Sequence, residues 1–215
     1  MSSVFGDRIK MTIFGESHGL AIGLVIDGLP AGLELDLASI NLEMARRAPG
    51  RSELSTARKE KDAYIIESGM FSGKTTGMPL CALIPNEDQH SKDYSILKNV
   101  MRPGHADYSG WIKYKGFNDY RGGGSFSGRL TAPLVFMGAV AKQILAARDI
   151  FIGAQITSVG GVEGTDFNPL GETAEVLLGL AKKNLPVLCS AYADAMISAI
   201  MAAKKGKDSV GGTVE

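Results

Sequence analysis

The chain has 215 residues, 23 lysine plus arginine against 23 aspartate plus glutamate, and 45% hydrophobic residues. That apolar share excludes wholesale disorder, and the zero net charge excludes a general nucleic-acid or membrane surface, which needs a basic excess. The length reads as a single domain, residues 1–215.

Cys81 and Cys189 are the only cysteines and form no Cys-x-x-Cys pair. Neither a disulfide framework nor a metal site is indicated, and a reducing cytoplasm fits. The first residues carry no secretion signal. No apolar run approaches the roughly 20 residues that cross a bilayer, so a soluble cytoplasmic protein is expected.

Residues 11–14 and 20–26 are short, β-rich apolar runs separated by Gly15-Glu16-Ser17-His18-Gly19. They read as strands joined by a polar loop, with Asp27-Gly28-Leu29-Pro30 as the following turn. Residues 36–47 place Leu37, Ile40 and Met44 on one helical face, with Arg46 and Arg47 in the last turn and Pro49-Gly50 as the stop. Residues 63–71 and 78–84 read as two strands of a hairpin. Pro79 stands near the start of the second, where it is tolerated.

A polar stretch, 85–121, follows with one helix expected around 108–114. The glycine loop Arg121-Gly122-Gly123-Gly124-Ser125-Phe126-Ser127-Gly128-Arg129 leads into an apolar helix over 132–148. Residues 150–162 read as a strand, and 172–183 and 190–205 as helices. Strands and helices mix without βαβ alternation, which predicts an α+β fold. The end, Ser209-Val210-Gly211-Gly212-Thr213-Val214-Glu215, reads as a turn entering a strand, where chains seldom stop; truncation is expected.

Two motifs mislead. Gly69-Met70-Phe71-Ser72-Gly73-Lys74-Thr75 has three residues before Gly-Lys-Thr, where a P-loop needs four and a following helix. A β-like run follows instead, so a hairpin turn is expected and nucleotide hydrolysis is rejected. The triple glycine lacks the third glycine of the dinucleotide fingerprint, that position holding Ser127.

The three histidines are His18, His90 and His105. His18 lies among glycines, on backbone that can approach a ligand, with Glu16 and Ser17 beside it to set its tautomer. His105 lies in Arg102-Pro103-Gly104-His105-Ala106-Asp107. His90 sits in the polar run from Asn86 to Ser91 and reads as solvated. Any lone histidine is more often structural than catalytic.

Arg46, Arg47 and Arg51 cluster near a helix end, Arg102 neighbours His105, and Arg121 and Arg129 bracket the glycine loop. Guanidiniums grip carboxylate or phosphate with paired N–H groups, so converging arginines suit a small polyanion; for any one of them a surface ion pair is the commoner role. Ser125, Ser127 and the loop's backbone N–H groups precede a helix N-terminus, a place for an anion or for a simple cap. Unaided, the residues indicate an anion site with two histidine acids or bases, and no reaction.

Three ordered stretches resemble the chorismate synthase family. They are Phe14-Gly15-Glu16-Ser17-His18-Gly19 with Val25-Ile26-Asp27-Gly28-Leu29-Pro30; Asp88-Gln89 to Asp93-Tyr94 with Arg102-Pro103-Gly104-His105-Ala106-Asp107-Tyr108; and Asp119-Tyr120-Arg121-Gly122-Gly123-Gly124 with Ser127-Gly128-Arg129. Arg46-Arg47 with Pro49-Gly50, and the closing glycine-rich segment, also look like the family. The resemblance implies helices sandwiched between antiparallel sheets and a homotetramer. It also implies the loss of phosphate and a ring proton from 5-enolpyruvylshikimate 3-phosphate, with reduced FMN lending an electron transiently.

By that resemblance His105 would protonate the departing phosphate and His18 the reduced flavin. Ser17, Arg47, Arg51, Arg102 and Arg129 would hold the substrate, while Ser125, Phe126, Ser127 and Gly128 would lie beside the flavin. Whether NADPH reduces the flavin on this protein or an outside reductase does so stays open. Family members often carry a basic residue at Ser125, alanine at Gly128 and arginine at Glu53, for which Arg51 is close enough to substitute. Family chains continue far beyond Glu215 and carry there further flavin contacts and an aspartate for proton abstraction. Incomplete sheets are therefore expected, and an inactive fragment binding only flavin or anions is the alternative reading.

Overall fold

Alternating apolar residues build the central sheet, seen in a computed structural model that describes residues 3–50, 52–54, 60–87, 94 and 98–215. The strands and helices in chain order begin with β1 (Val4–Phe5), β2 (Lys10–Gly15), β3 (Ala21–Asp27) and α1 (Leu37–Arg47). They continue with β4 (Ile65–Ser68), β5 (Met70–Phe71), β6 (Lys74–Thr75), β7 (Leu80–Pro85), α2 (Asp107–Lys113) and α3 (Thr131–Ala146). Last come β8 (Ile156–Val159), β9 (Val162–Glu163), α4 (Ala174–Leu180), α5 (Ala193–Lys205) and β10 (Gly212–Val214). Read by length as one domain over residues 1–215, the chain packs as two compact units: Met1–Arg51 with Ala57–Gln143, and Ser52–Thr56 with Ile144–Glu215.

The first unit holds an antiparallel sheet in the order β1-β2-β3-β7-β4. Successive strand side chains face opposite ways, so Ile22, Leu24 and Ile26 of β3 and Leu80, Ala82 and Ile84 of β7 share one face, every one of them wholly buried. Cross-strand register keeps them level, Leu24 opposite Ala82 and Ile26 opposite Leu80. Ile40 and Met44 of α1 and Phe136 and Val140 of α3 are likewise buried.

Asp36 starts α1 by accepting from the N–H groups of Ala38 and Ser39, satisfying donors that a helix N-terminus leaves without partners. The two helices are joined at their ends. The Asp36 N–H donates to Gln143 at 2.9 Å and Lys142 pairs with Glu43 at 2.7 Å.

The Gly-Lys-Thr segment is a hairpin turn, as expected. Ser72 and Gly73 both have positive φ, +48° and +78°, the two-residue geometry that matches strand twist. Lys74 then enters β6 rather than a helix.

One expectation needs correction. Residues 121–146 do form a stretch long and apolar enough to cross a bilayer by length and composition. It owes that length to the glycine turns in front of α3; the α-helix itself has 16 residues and buries Ala132, Pro133, Phe136, Ala139 and Val140.

In the second unit β10, β8 and β9 form a three-stranded antiparallel sheet in that order, over a core of Val159, Leu185, Val187 and Met196. The strand expected over 150–162 is confined to Ile156–Val159. The Ile150 N–H turns back to the Leu145 carbonyl at the end of α3, and Gly160 and Gly161, both at positive φ, turn the chain into β9. Buried Gln155 ties the closing strand in, its N–H donating to the Glu215 carbonyl and its side chain accepting from the Leu188 N–H. The fold is α+β with antiparallel sheets throughout.

Leu24 is fully buried, so Leu24→Ala should cost about 3 kcal/mol through lost transfer energy and the cavity left behind. Asp36→Ala should cost about 1 kcal/mol through the lost cap. Urea denaturation followed by circular dichroism checks both, and the order of the two effects is the sharper result.

Candidate active site

The loop that joins β2 to β3 carries Ser17 and His18, both buried despite the loop's polar sequence. The Ser17 N–H donates to the Gly124 carbonyl at 3.1 Å, fastening this loop to the triple-glycine turn. His18 Nδ1 lies 3.2 Å from Ser17 Oγ, and its ring meets Tyr94 edge-on at 4.9 Å between centroids.

Residues Arg121–Phe126 form a short 3₁₀ turn in which Gly122 and Gly123 take φ of +56° and +83°, a region costly for side-chain-bearing residues. Space forbids a side chain as well. A Cβ on Gly122 would stand 2.2 Å from His18 Cε1, and one on Gly123 would stand 2.6 Å from His105 Cε1. The two histidines therefore close on adjacent residues of one turn, within about 12 Å of each other given the ~3.8 Å Cα spacing. Sequence reading paired each histidine only with its own neighbours; the turn brings them together.

His105 lies beside Arg102 and Asp107. Asp107 accepts from Arg102 Nε at 2.9 Å, Nη2 at 2.9 Å and the backbone N–H at 3.0 Å. These hydrogen bonds, against the opposing effect of burial, hold the Asp107 carboxyl well below the usual carboxylate range, and the same partnership raises Arg102. His105 Nδ1 lies 2.7 Å from Asp107 Oδ1 but off the line of a directed hydrogen bond to any described residue. The pair is ionic only when the ring carries a proton. On the other flank, burial pushes the Asp119 carboxyl up, but hydrogen bonds from Arg121 and the nearby charge of His18 outweigh it and leave Asp119 lowered. Each histidine thus sits near an aspartate whose carboxyl is held below its usual range by an arginine.

Arg47 and Arg129 belong to a second cluster. Arg129 is buried; it pairs with Asp62 Oδ1 through Nη1 and with Glu60 through Nη2 at 2.7 Å. Its Nη2 also donates to the Pro85 carbonyl at 3.1 Å and its Nε to Asn86 Oδ1 at 3.0 Å. Arg47 shares Asp62, bonding Oδ2 at 2.5 Å, and reaches Thr131 Oγ1 and the Gly128 carbonyl, each at 3.3 Å.

Asn86 joins the two clusters. Its Nδ2 donates to the carbonyls of Glu16 at 3.0 Å and Gly19 at 2.9 Å, either side of His18, while Oδ1 takes Arg129. Glu60, Asp62 and Asn86 were missed by sequence reading. Asn86 falls in the run taken as solvated, whereas it is only 8% exposed; Lys59-Glu60-Lys61-Asp62 alternates in charge and carries no signal of burial.

Of the residues expected beside a flavin, Ser125, Phe126 and Gly128 are exposed and Ser127 half-buried. Ser127 Oγ accepts from the Arg129 N–H at 3.3 Å, so its capping role is observed. Beside Gly128 a Cβ would meet nothing within 4 Å. Phe126, with Trp111, Phe117 and Tyr120, lines a cavity that also reaches Gly123 and Asp107. The exposed Ser125 hydroxyl, the aromatic wall and the open space at Gly128 suit a planar cofactor with polar edges such as a flavin. Arg51 and His90 lie outside the described residues.

A family model described as chorismate synthase matches residues 9–215. Chorismate synthases of Nitratiruptor sp. and Methanocella arvoryzae are 46% and 44% identical to this chain, over 98% and 99% of it and 56% of each relative. A solved structure titled "Crystal Structure of Chorismate Synthase" superposes with a TM-score of 0.70 at 29% identity, covering 97% of this chain and 57% of that one. The chain thus spans little more than half the length of the relatives it matches.

Gly123→Ala should cost about 1–3 kcal/mol through its left-handed backbone and displace His105, seen as a shift of that imidazole's NMR resonance with the sheet intact. A carboxyl lowered on folding contributes stability present above its unfolded range, near pH 4, and lost as pH falls below it. Urea midpoints measured from pH 5 down to pH 2 should therefore fall, and less steeply in Arg102→Gln, which frees Asp107.

Proposed function

The chain belongs to the chorismate synthase family, and we propose that the protein is a carbon–oxygen lyase acting in aromatic amino acid biosynthesis. It converts 5-enolpyruvylshikimate 3-phosphate to chorismate and phosphate by anti-1,4-elimination. The observation that carries this reading is the closure of His18 and His105 on neighbouring glycines, with Arg102 within reach of Gly123. An elimination that expels phosphate needs an acid at the leaving oxygen and fixed cations around a polyanion, and both kinds of group converge here.

His105 is the proposed acid for the leaving phosphate: the carbon–oxygen electrons leave with phosphate, the ring C–H electrons form the new double bond, and the ring proton passes to a carboxylate base, the aspartate that the family carries beyond the stretch matched here. Asp107 supports the imidazolium by charge. His18, oriented by Ser17, is the proposed proton donor on the flavin side. Arg47, Arg51 and Arg102 are the proposed contacts for the substrate's phosphate and two carboxylates, with Ser17 assisting. Arg129, also expected to hold substrate, is buried among Glu60, Asp62 and Asn86, and its proposed part is to anchor that cluster.

Ser125, Phe126, Ser127 and Gly128 would hold reduced FMN, which when bound supplies electron density that eases phosphate loss. NADPH as flavin reductant, a homotetramer, a cytoplasmic location, and the absence of nucleic-acid and membrane partners complete the proposal.

Anaerobic incubation with 5-enolpyruvylshikimate 3-phosphate and reduced FMN should yield chorismate, and His105→Ala should lower turnover by about two to four powers of ten. A chain that forms none beside an active full-length relative would sink the catalytic reading for this chain and favour one that binds only flavin or anions.

A further inference from the structure

Asp62 is a carboxylate in an unusual position. Its side chain is fully buried, its backbone stands at φ +53°, and each of its two oxygens takes a different guanidinium, Oδ1 from Arg129 and Oδ2 from Arg47. Non-glycine residues seldom occupy that backbone region, aspartate and asparagine tolerating it best. Such strain persists only where the surroundings demand it.

The two arginines differ in what remains to them. Arg129's side chain is 2% exposed, and among the described residues its polar partners are Asn86, Asp62, Glu60 and Pro85. Arg47's is 19% exposed, and its hydrogen bonds among the described residues engage three N–H groups, where a guanidinium has five. Two of those bonds, at 3.3 Å, are long. The short one is to Asp62.

We propose that Asp62 is a positioning residue that seats Arg47 on the buried Arg129, so that Arg129 is the anchor and Arg47 the guanidinium presented to the substrate's anionic group. This rests on the anion-binding role proposed above. One carboxylate divided between two cations fixes both in register, because each oxygen accepts along a defined direction. Glu60 supplies the second negative charge, so the two arginines and two carboxylates are neutral together and Arg47 is not held by excess repulsion.

The test is the binding of inorganic phosphate to the whole chain, measured by isothermal titration calorimetry without flavin or substrate. Asp62→Asn preserves shape and tolerates the same backbone, but replaces one acceptor oxygen with an NH₂ that faces a guanidinium. If Asp62 positions Arg47, phosphate should bind about tenfold more weakly, in line with loss of a hydrogen bond to a charged group. If Asp62 only neutralises charge, its removal leaves the site more positive and phosphate binds as tightly or more tightly; that result overturns the proposal.

Circular dichroism monitors folding. Should Asp62→Asn unfold, Asp62→Glu, which keeps the charge and displaces the carboxylate, is read instead: weaker phosphate binding supports positioning, and unchanged binding overturns it. A wild-type chain that binds no phosphate overturns the positioning role together with the anion site it serves. Failure to form chorismate while phosphate still binds overturns the catalytic reading alone.

Discussion

A permanently charged guanidinium enclosed by protein governs this site. Arg129 is 4% exposed, and a buried charge persists only if opposite charge and hydrogen bonds replace its water. That demand draws in Glu60 and Asp62 from the segment before β4 and Asn86 from the end of β7. Breaking such a pair by removing one partner typically costs about 3–5 kcal/mol, so the cluster behaves as one unit. Through Asn86 the same unit holds the carbonyls on both sides of His18, and through Asp62 it holds Arg47.

Against that charged anchor stands a turn made of almost nothing. Gly122 and Gly123 occupy space that any Cβ would take from His18 and His105, and Gly124 offers its carbonyl to the Ser17 N–H. A turn without side chains lets two histidines approach one piece of backbone from two distant loops. Asp107 and Asp119, each held below the usual carboxylate range with its own arginine as hydrogen-bond partner, place negative charge beside the two rings. Charge, not apolar burial, organises this part of the molecule, while the apolar faces of β3, β7, α1 and α3 provide the floor under it.

Much of that floor was legible beforehand. The β-rich apolar run at 20–26 and the helical spacing in 36–47 are local properties, and local properties show in sequence. The shortened strand at Ile156–Val159 was less legible, because a strand needs a partner and the Ile150 N–H had a nearer one at the end of α3. At the site, His18, His105 and the arginines were visible through their residue types and glycine flanks. Asn86, Glu60 and Asp62 were not, since a polar residue that becomes buried looks in sequence like any solvated one.

The sequence by itself determined the α+β class, the positions of most strands and helices, the hairpin nature of the Gly-Lys-Thr segment and the family motifs in order. Only the tertiary structure decided which cation is buried, which histidine meets which glycine, and that one carboxylate serves two arginines. The physical reason is range. Backbone propensity and side-chain periodicity act over a few residues, whereas the partner of a buried charge is chosen by whichever opposite charge the folded chain delivers, here across 67 positions from Asp62 to Arg129.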